Sequence, residues 1–148
     1  MKKHAVGYLF LLLFTSCSNK LQSTLTKEFI HAGPGYSKAV TVSAGGVKTI
    51  YVAGLTGEGN DLEAQTRSAF ENIKTELESA GASYKDIVKM NTYMVNYKPA
   101  YITLFRKVRK EILGEKDMPA STIVGVSELA DINKLIEIEA IAVIKITK

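Results

Sequence analysis

Cysteine occurs once in these 148 residues, at Cys17, so the chain can hold no internal disulfide. Histidine occurs twice, at His4 and His31, which rules out a metal site of clustered histidines and argues against a Ser-His triad. Charge of one sign is also scarce. The formal net charge is +4, and removing Lys2 and Lys3 with the leader leaves +2. Basic residues alternate with acids, as in Lys107, Arg109, Lys110 and Glu111, and form no block, so nothing points to a nucleic-acid partner. The glycines Gly54, Gly57 and Gly59 have the wrong order for a dinucleotide fingerprint and read as a flexible loop. The remainder is ordinary for a globular protein: 46% apolar and 23% charged, with 11 Gly and 3 Pro. The length fits one domain plus a short leader, large enough to bury a core without metals or disulfides.

The one long apolar run, Ala5 to Phe14, is too short to cross a bilayer, which takes about 20 residues. Behind the basic Met1-Lys2-Lys3-His4 it reads as a signal peptide, residues 1–16. Phe14-Thr15-Ser16-Cys17 resembles a bacterial lipobox, with Phe14 where leucine is commonest. The resemblance implies a diacylglycerol thioether on Cys17 and a polar tether over residues 17–26. It also implies a lipoprotein held on a membrane of the bacterial cell envelope, periplasmic or at the surface. Several acyl chains, at about 0.8 kcal/mol per buried CH₂, hold firmly.

The folded domain is expected over residues 27–148. Lys27–His31, Ala39–Ser43 and Val47–Ala53 read as strands, the last two as a hairpin around Ala44-Gly45-Gly46. Gly54–Gly59 reads as a loop. Asn60 then opens a helix with Glu63 as a capping box, Leu62, Ala69, Phe70, Ile73, Leu77 and Ala80 form its inward stripe, and Gly81 ends it. Ile87–Asn96 is a strand with Val88, Met90, Thr92 and Met94 on one face. Pro99 starts a second helix with Ile102, Phe105, Val108, Arg109 and Ile112 inward, and Gly114 stops it. Thr122–Val126 and Leu135–Ile146 are the last strands. The order β-β-β-α-β-α-β-β predicts an α+β fold, one six-stranded mixed sheet with both helices on one face. The last strand puts Ile136, Ile138, Ala140, Ala142 and Ile144 on one face and Glu137, Glu139, Ile141 and Val143 on the other. A half-apolar open face of this kind predicts an oligomer interface.

Four stretches are similar, in order, to the Rid (YjgF) family: Gly33-Pro34-Gly35-Tyr36-Ser37, Val52-Ala53-Gly54, Ala64-Gln65-Thr66 with Asn72-Ile73, and Pro119-Ala120-Ser121-Thr122 followed by Ile136–Val143. Together they span about residues 29 to 146. The resemblance implies a chorismate-mutase-like fold, a homotrimer with clefts between subunits, and no metal or organic cofactor. The activity it implies is hydrolysis of reactive enamines and imines, such as 2-aminoacrylate and 2-iminopropanoate, to a keto acid and ammonia.

The same resemblance assigns Glu137 to the group that positions the attacking water and Tyr36 to the family's N-terminal tyrosine. It sets Gly54, Phe105, Ser121 and Ile123 along the ligand cleft. Deaminating members carry an arginine after Pro-Ala, whose fork binds the substrate carboxylate. This chain has Ser121 there. Losing such a pair costs on the order of 2–5 kcal/mol, so the leading expectation is an envelope-anchored protein that binds a small, less acidic metabolite. A structural or chaperone-like trimer ranks second. A deaminase with a relocated clamp, for which Arg106 and Arg109 are the nearby cations, ranks third.

Overall fold

The computed structural model describes residues 24–146; Cys17 and the leader lie outside them. Strands β1 (Thr26–Ala32), β2 (Ser37–Ala44) and β3 (Val47–Thr56) come first, then helix α1 (Leu62–Ser79), β4 (Ile87–Val95) and α2 (Pro99–Leu113). β5 (Ala120–Val126) and β6 (Ile136–Lys145) complete the domain. They form one six-stranded sheet in the order β1-β2-β3-β6-β4-β5. Among the described residues, β4 and β5 alone run parallel, with α2 as their crossover, and the other neighbours are antiparallel. The sheet is therefore mixed, as the element order predicts.

The alternation in β6 decides which face meets the helices. Ile136, Ile138, Ala140 and Ala142 are buried, whereas Glu137, Glu139 and Ile141 are half-buried on the open face and Val143 is exposed. Phe70 of α1 stacks on Phe105 of α2 at 6.2 Å between ring centroids, and both rings are wholly buried. Ile50, Ile73, Leu77, Met90, Met94 and Val108 complete the tightest part of this core. The opposite face carries the exposed apolar side chains Tyr51, Val124 and Val143.

Four local differences from the sequence reading have physical causes. The N-cap of α1 is Asp61, not Asn60: its Oδ1 accepts from the Ala64 N–H at 2.8 Å. Glu63 makes no capping box there and instead pairs with Arg67 at 2.7 Å, which also reaches Glu111 of α2 at 2.6 Å. β3 does not stop at Ala53 but continues to Thr56 through a bulge between Val52 and Leu55, so Gly54 lies within the sheet. A second bulge, between Ile87 and Lys89, changes the phase of β4 and leaves Val88 exposed while Met90, Thr92 and Met94 stay inward. β5 begins at Ala120, because pairing with Lys89 and Met90 of β4 takes in Ala120 and Ser121.

Candidate functional site

The open face presents two carboxylates two residues apart on β6. Glu137 is in register with Thr56 of β3 and Tyr93 of β4. The bulge brings the Gly54 backbone so close to it that a Cβ on residue 54 would fall on the Glu137 carboxylate. A side chain at residue 54 would push that carboxylate aside, so glycine here leaves it room against the backbone. Burial, and then repulsion from Glu139, push the Glu137 carboxyl above the usual carboxylate range. A half-buried carboxyl that holds its proton closer to neutrality suits general acid-base work on water. Glu139 is more heavily committed: Asn91 Nδ2 donates to its Oε1, and the Tyr93 hydroxyl donates to the same atom at 3.4 Å. Asn91 and Glu139 border a cleft of about 180 Å³ with Tyr51 and Lys89. Tyr36 stands exposed just before β2, and the register Ala39↔Val52 puts that strand start alongside the bulged end of β3.

A separate feature lies on the helix side, at the β5 edge. Arg109 Nη1 donates to Ser121 Oγ at 3.0 Å. Its guanidinium carbon lies 5.5 Å from the centre of the Phe105 ring, so the core supports the stem and head of the side chain. Among the described residues, the Arg109 Nε–H is buried without a hydrogen-bond partner. Burial, and then the like charge of Arg106, push the Arg109 pKa down, but a guanidinium stays charged at neutral pH. Among the described residues, neither Arg106 nor Arg109 forms an ion pair with a carboxylate. Ile102, Arg106, Arg109, Ser121 and Ile123 enclose an open cavity of about 370 Å³. Two cations thus face a concave surface with no internal counter-charge.

The residues singled out from the sequence fall into three places. Ser121 and Ile123 line the cavity, and Gly54 and Glu137 meet across the open face. Phe105 is wholly buried against Phe70 and offers no surface to a ligand; Ile102, about one turn earlier on α2, is the wall residue. Ser121 is in register with Met90, whose side chain points to the helices, whereas Glu137 is in register with Tyr93 on the other face. Within one chain, then, Glu137 and Ser121 sit on opposite sides of the sheet. Sequence reasoning missed Ile102, counted only as core, and the Asn91–Glu139 contact. It placed Arg109 in an apolar stripe, where a charged residue was the available signal.

The sequence model of the family described as endoribonuclease L-PSP matches residues 26–144. The chain belongs to this family, also known as YjgF or Rid. A RutC family protein from Pyrococcus abyssi is 40% identical over 118 residues, covering 74% of this chain and 86% of that protein. The 2-iminobutanoate/2-iminopropanoate deaminase of Dermatophagoides farinae is 33% identical over 121 residues, covering 76% and 88%. Among solved structures, the YjgF/YER057c/UK114 family member Rv2704 from Mycobacterium tuberculosis superposes with a TM-score of 0.70 at 32% identity. It covers 80% of this chain and 100% of its own. The Rid fold anticipated from the four sequence stretches is the fold observed.

Proposed function

We propose that this protein is a hydrolytic enamine/imine deaminase for a 2-imino acid, with the carboxylate-binding arginine supplied by α2 rather than by β5. One observation carries this reading: Arg109 places its guanidinium on the side chain of Ser121, the position where deaminating members are expected to hold their arginine. The sequence alone favours a binder of less acidic ligands, because residue 121 has lost its charge. Arg109, with Arg106 beside it, returns positive charge to that spot. The mite relative named as a 2-iminobutanoate/2-iminopropanoate deaminase supports the same reading.

In this mechanism Arg109 and Arg106 hold the carboxylate. The Glu137 carboxylate takes a proton from water as its oxygen adds to C2 of the iminium, giving a neutral carbinolamine, and returns that proton to the nitrogen. As the C–N bond breaks and ammonia leaves, Glu137 takes the hydroxyl proton, the keto acid forms, and the proton passes to the departing ammonia as ammonium. An enamine first takes a proton on carbon. Because Glu137 and Arg109 lie on opposite faces of the sheet in one chain, a second copy must bring its open face to the groove. We assign the protein the homotrimer that the family resemblance implies, with the open face of Tyr51, Val124 and Val143 covered by neighbouring copies and Glu137 of one copy reaching the groove of the next. The lipid anchor on Cys17 and the envelope location are part of the same proposal, and they rest on the lipobox-like leader.

The test follows the decay of 2-imino acids generated in situ by an amino-acid oxidase. The full chain accelerates decay. Arg109→Gln lowers kcat/KM by about 10²–10³-fold, as expected for a charge-assisted contact, and Glu137→Gln lowers it by about 10²-fold. A wild-type chain with no effect on decay overturns the proposal.

A further inference from the structure

The cationic cavity does not end at its arginines. Ile102 and Ile123 also form part of a second concavity of about 250 Å³, completed by Tyr97 and Gly125. The two cavities share both isoleucines and so form one groove between α2 and β5. Its two ends differ in chemistry. Arg106, Arg109 and Ser121 make one end cationic and polar. Tyr97, Ile102, Ile123 and Gly125 make the other apolar, with no charged side chain in its wall.

The geometry is internally consistent. Ile102 to Arg109 covers about 10 Å along a helix at 1.5 Å per residue. Ser121 to Gly125 covers about 13 Å along a strand at 3.3 Å per residue. The helix and strand run in opposite senses here, so that Arg109 meets Ser121 and Ile102 meets Ile123. Gly125 keeps the apolar end open. A Cβ there would stand 2.8 Å from Tyr97 Cβ, so a larger residue would displace the tyrosine that walls the groove.

We propose that this groove selects 2-imino acids bearing a branched or aromatic apolar side chain, the imines derived from leucine-like or phenylalanine-like amino acids, over those derived from alanine. The carboxylate rests on Arg109 and Arg106, and the side chain lies along Ile102 and Ile123 toward Tyr97. The inference rests on the deaminase reading for the imine itself, while the selection it describes belongs to the groove and can be measured without turnover.

The stable keto acids pyruvate and 4-methyl-2-oxopentanoate serve as probes in calorimetric titration of the full chain. Wild type binds 4-methyl-2-oxopentanoate about tenfold more tightly than pyruvate, the scale expected for burying one or two methylenes in a half-open apolar site. Ile102→Phe and, separately, Ile123→Phe fill the apolar end; each weakens binding of the larger acid more than that of pyruvate, bringing the ratio of the two affinities toward one. Arg109→Gln weakens both. Thermal melting identifies either phenylalanine variant that fails to fold, and the other then carries the test. Equal affinity for the two acids, no binding of either, or a preference that survives filling overturns the proposal. A preference without hydrolysis of either imine supports the groove and overturns only the deaminase reading.

Discussion

The two helices of this small domain are built to different standards. α1 carries a side-chain cap at Asp61 and buries Leu62, Gln65, Thr66, Ala69, Phe70, Ile73, Glu76 and Leu77. α2 has Lys98 at its N-cap without a capping bond, and only Phe105 and Val108 are fully buried. Even the polar groups of α1 are tied down. Buried Glu76 meets His31 Nδ1 of β1 at 2.7 Å, and Gln65 Nε2 donates to the carbonyls of Gly59 and Asn133 at 3.1 Å. α2 instead spends one side of its surface on Ile102, Arg106 and Arg109, which face a cavity. The difference separates scaffold from site: one helix fixes the sheet, and the other rests on it while presenting cations to a groove.

That contrast can be broken from the α1 side first. Phe70→Ala should cost about 3–5 kcal/mol, because the stack with Phe105 leaves a cavity between the helices. Val108→Ala on α2 should cost less, about 2 kcal/mol for its lost methyls. Chemical denaturation with an unchanged m-value checks both. Equal costs would remove the distinction.

The caps sharpen it. Asp61→Ala should lose about 1 kcal/mol, whereas Lys98→Asp should gain about 0.5–1 kcal/mol by giving α2 the acceptor it lacks ahead of Pro99. Thermal melts of the two variants should therefore move in opposite directions.

The smallest expected effect concerns Glu137. Its pKa is raised in the folded chain, so the fold holds that proton longer than the unfolded chain does. Stability contributed at this site falls as pH rises from the ordinary carboxylate range through the raised value, and stays lower above it. Glu137→Gln should accordingly melt slightly higher than wild type at pH 7, and the gain should vanish toward pH 4. On the proposed deaminase reading the same substitution lowers kcat/KM by about 10²-fold, which separates a catalytic role from structural support.

Much of the fold was legible in the sequence because its signals are periodic. The β6 run Ile136-Glu137-Ile138-Glu139 alternates without interruption, and the α1 stripe repeats at helical spacing, so both faces were assigned correctly. Bulges break that logic. The extra residues around Ala53-Gly54 and at Val88 change phase without changing composition, and only strand pairing shows them. The site was less legible for a related reason. Ser121 was visible as a departure from the family pattern, but what stands beside it depends on how α2 lies across β5. Arg109 and Ser121 are 12 residues apart in sequence and meet only after the crossover has closed. Ile102 carried no sequence signal beyond an apolar stripe position, and its place at the cavity wall follows from α2 ending its burial at Phe105 and Val108.

On the proposed reading, an arginine on α2 performs the work expected of residue 121. The most direct measurement compares 2-imino acid hydrolysis by Arg109→Gln with that by the double variant Arg109→Gln/Ser121→Arg, with wild type as reference. The single variant is expected to be nearly silent, and the double variant to recover activity to within about tenfold of wild type. An Arg109→Gln chain as active as wild type would contradict that reading.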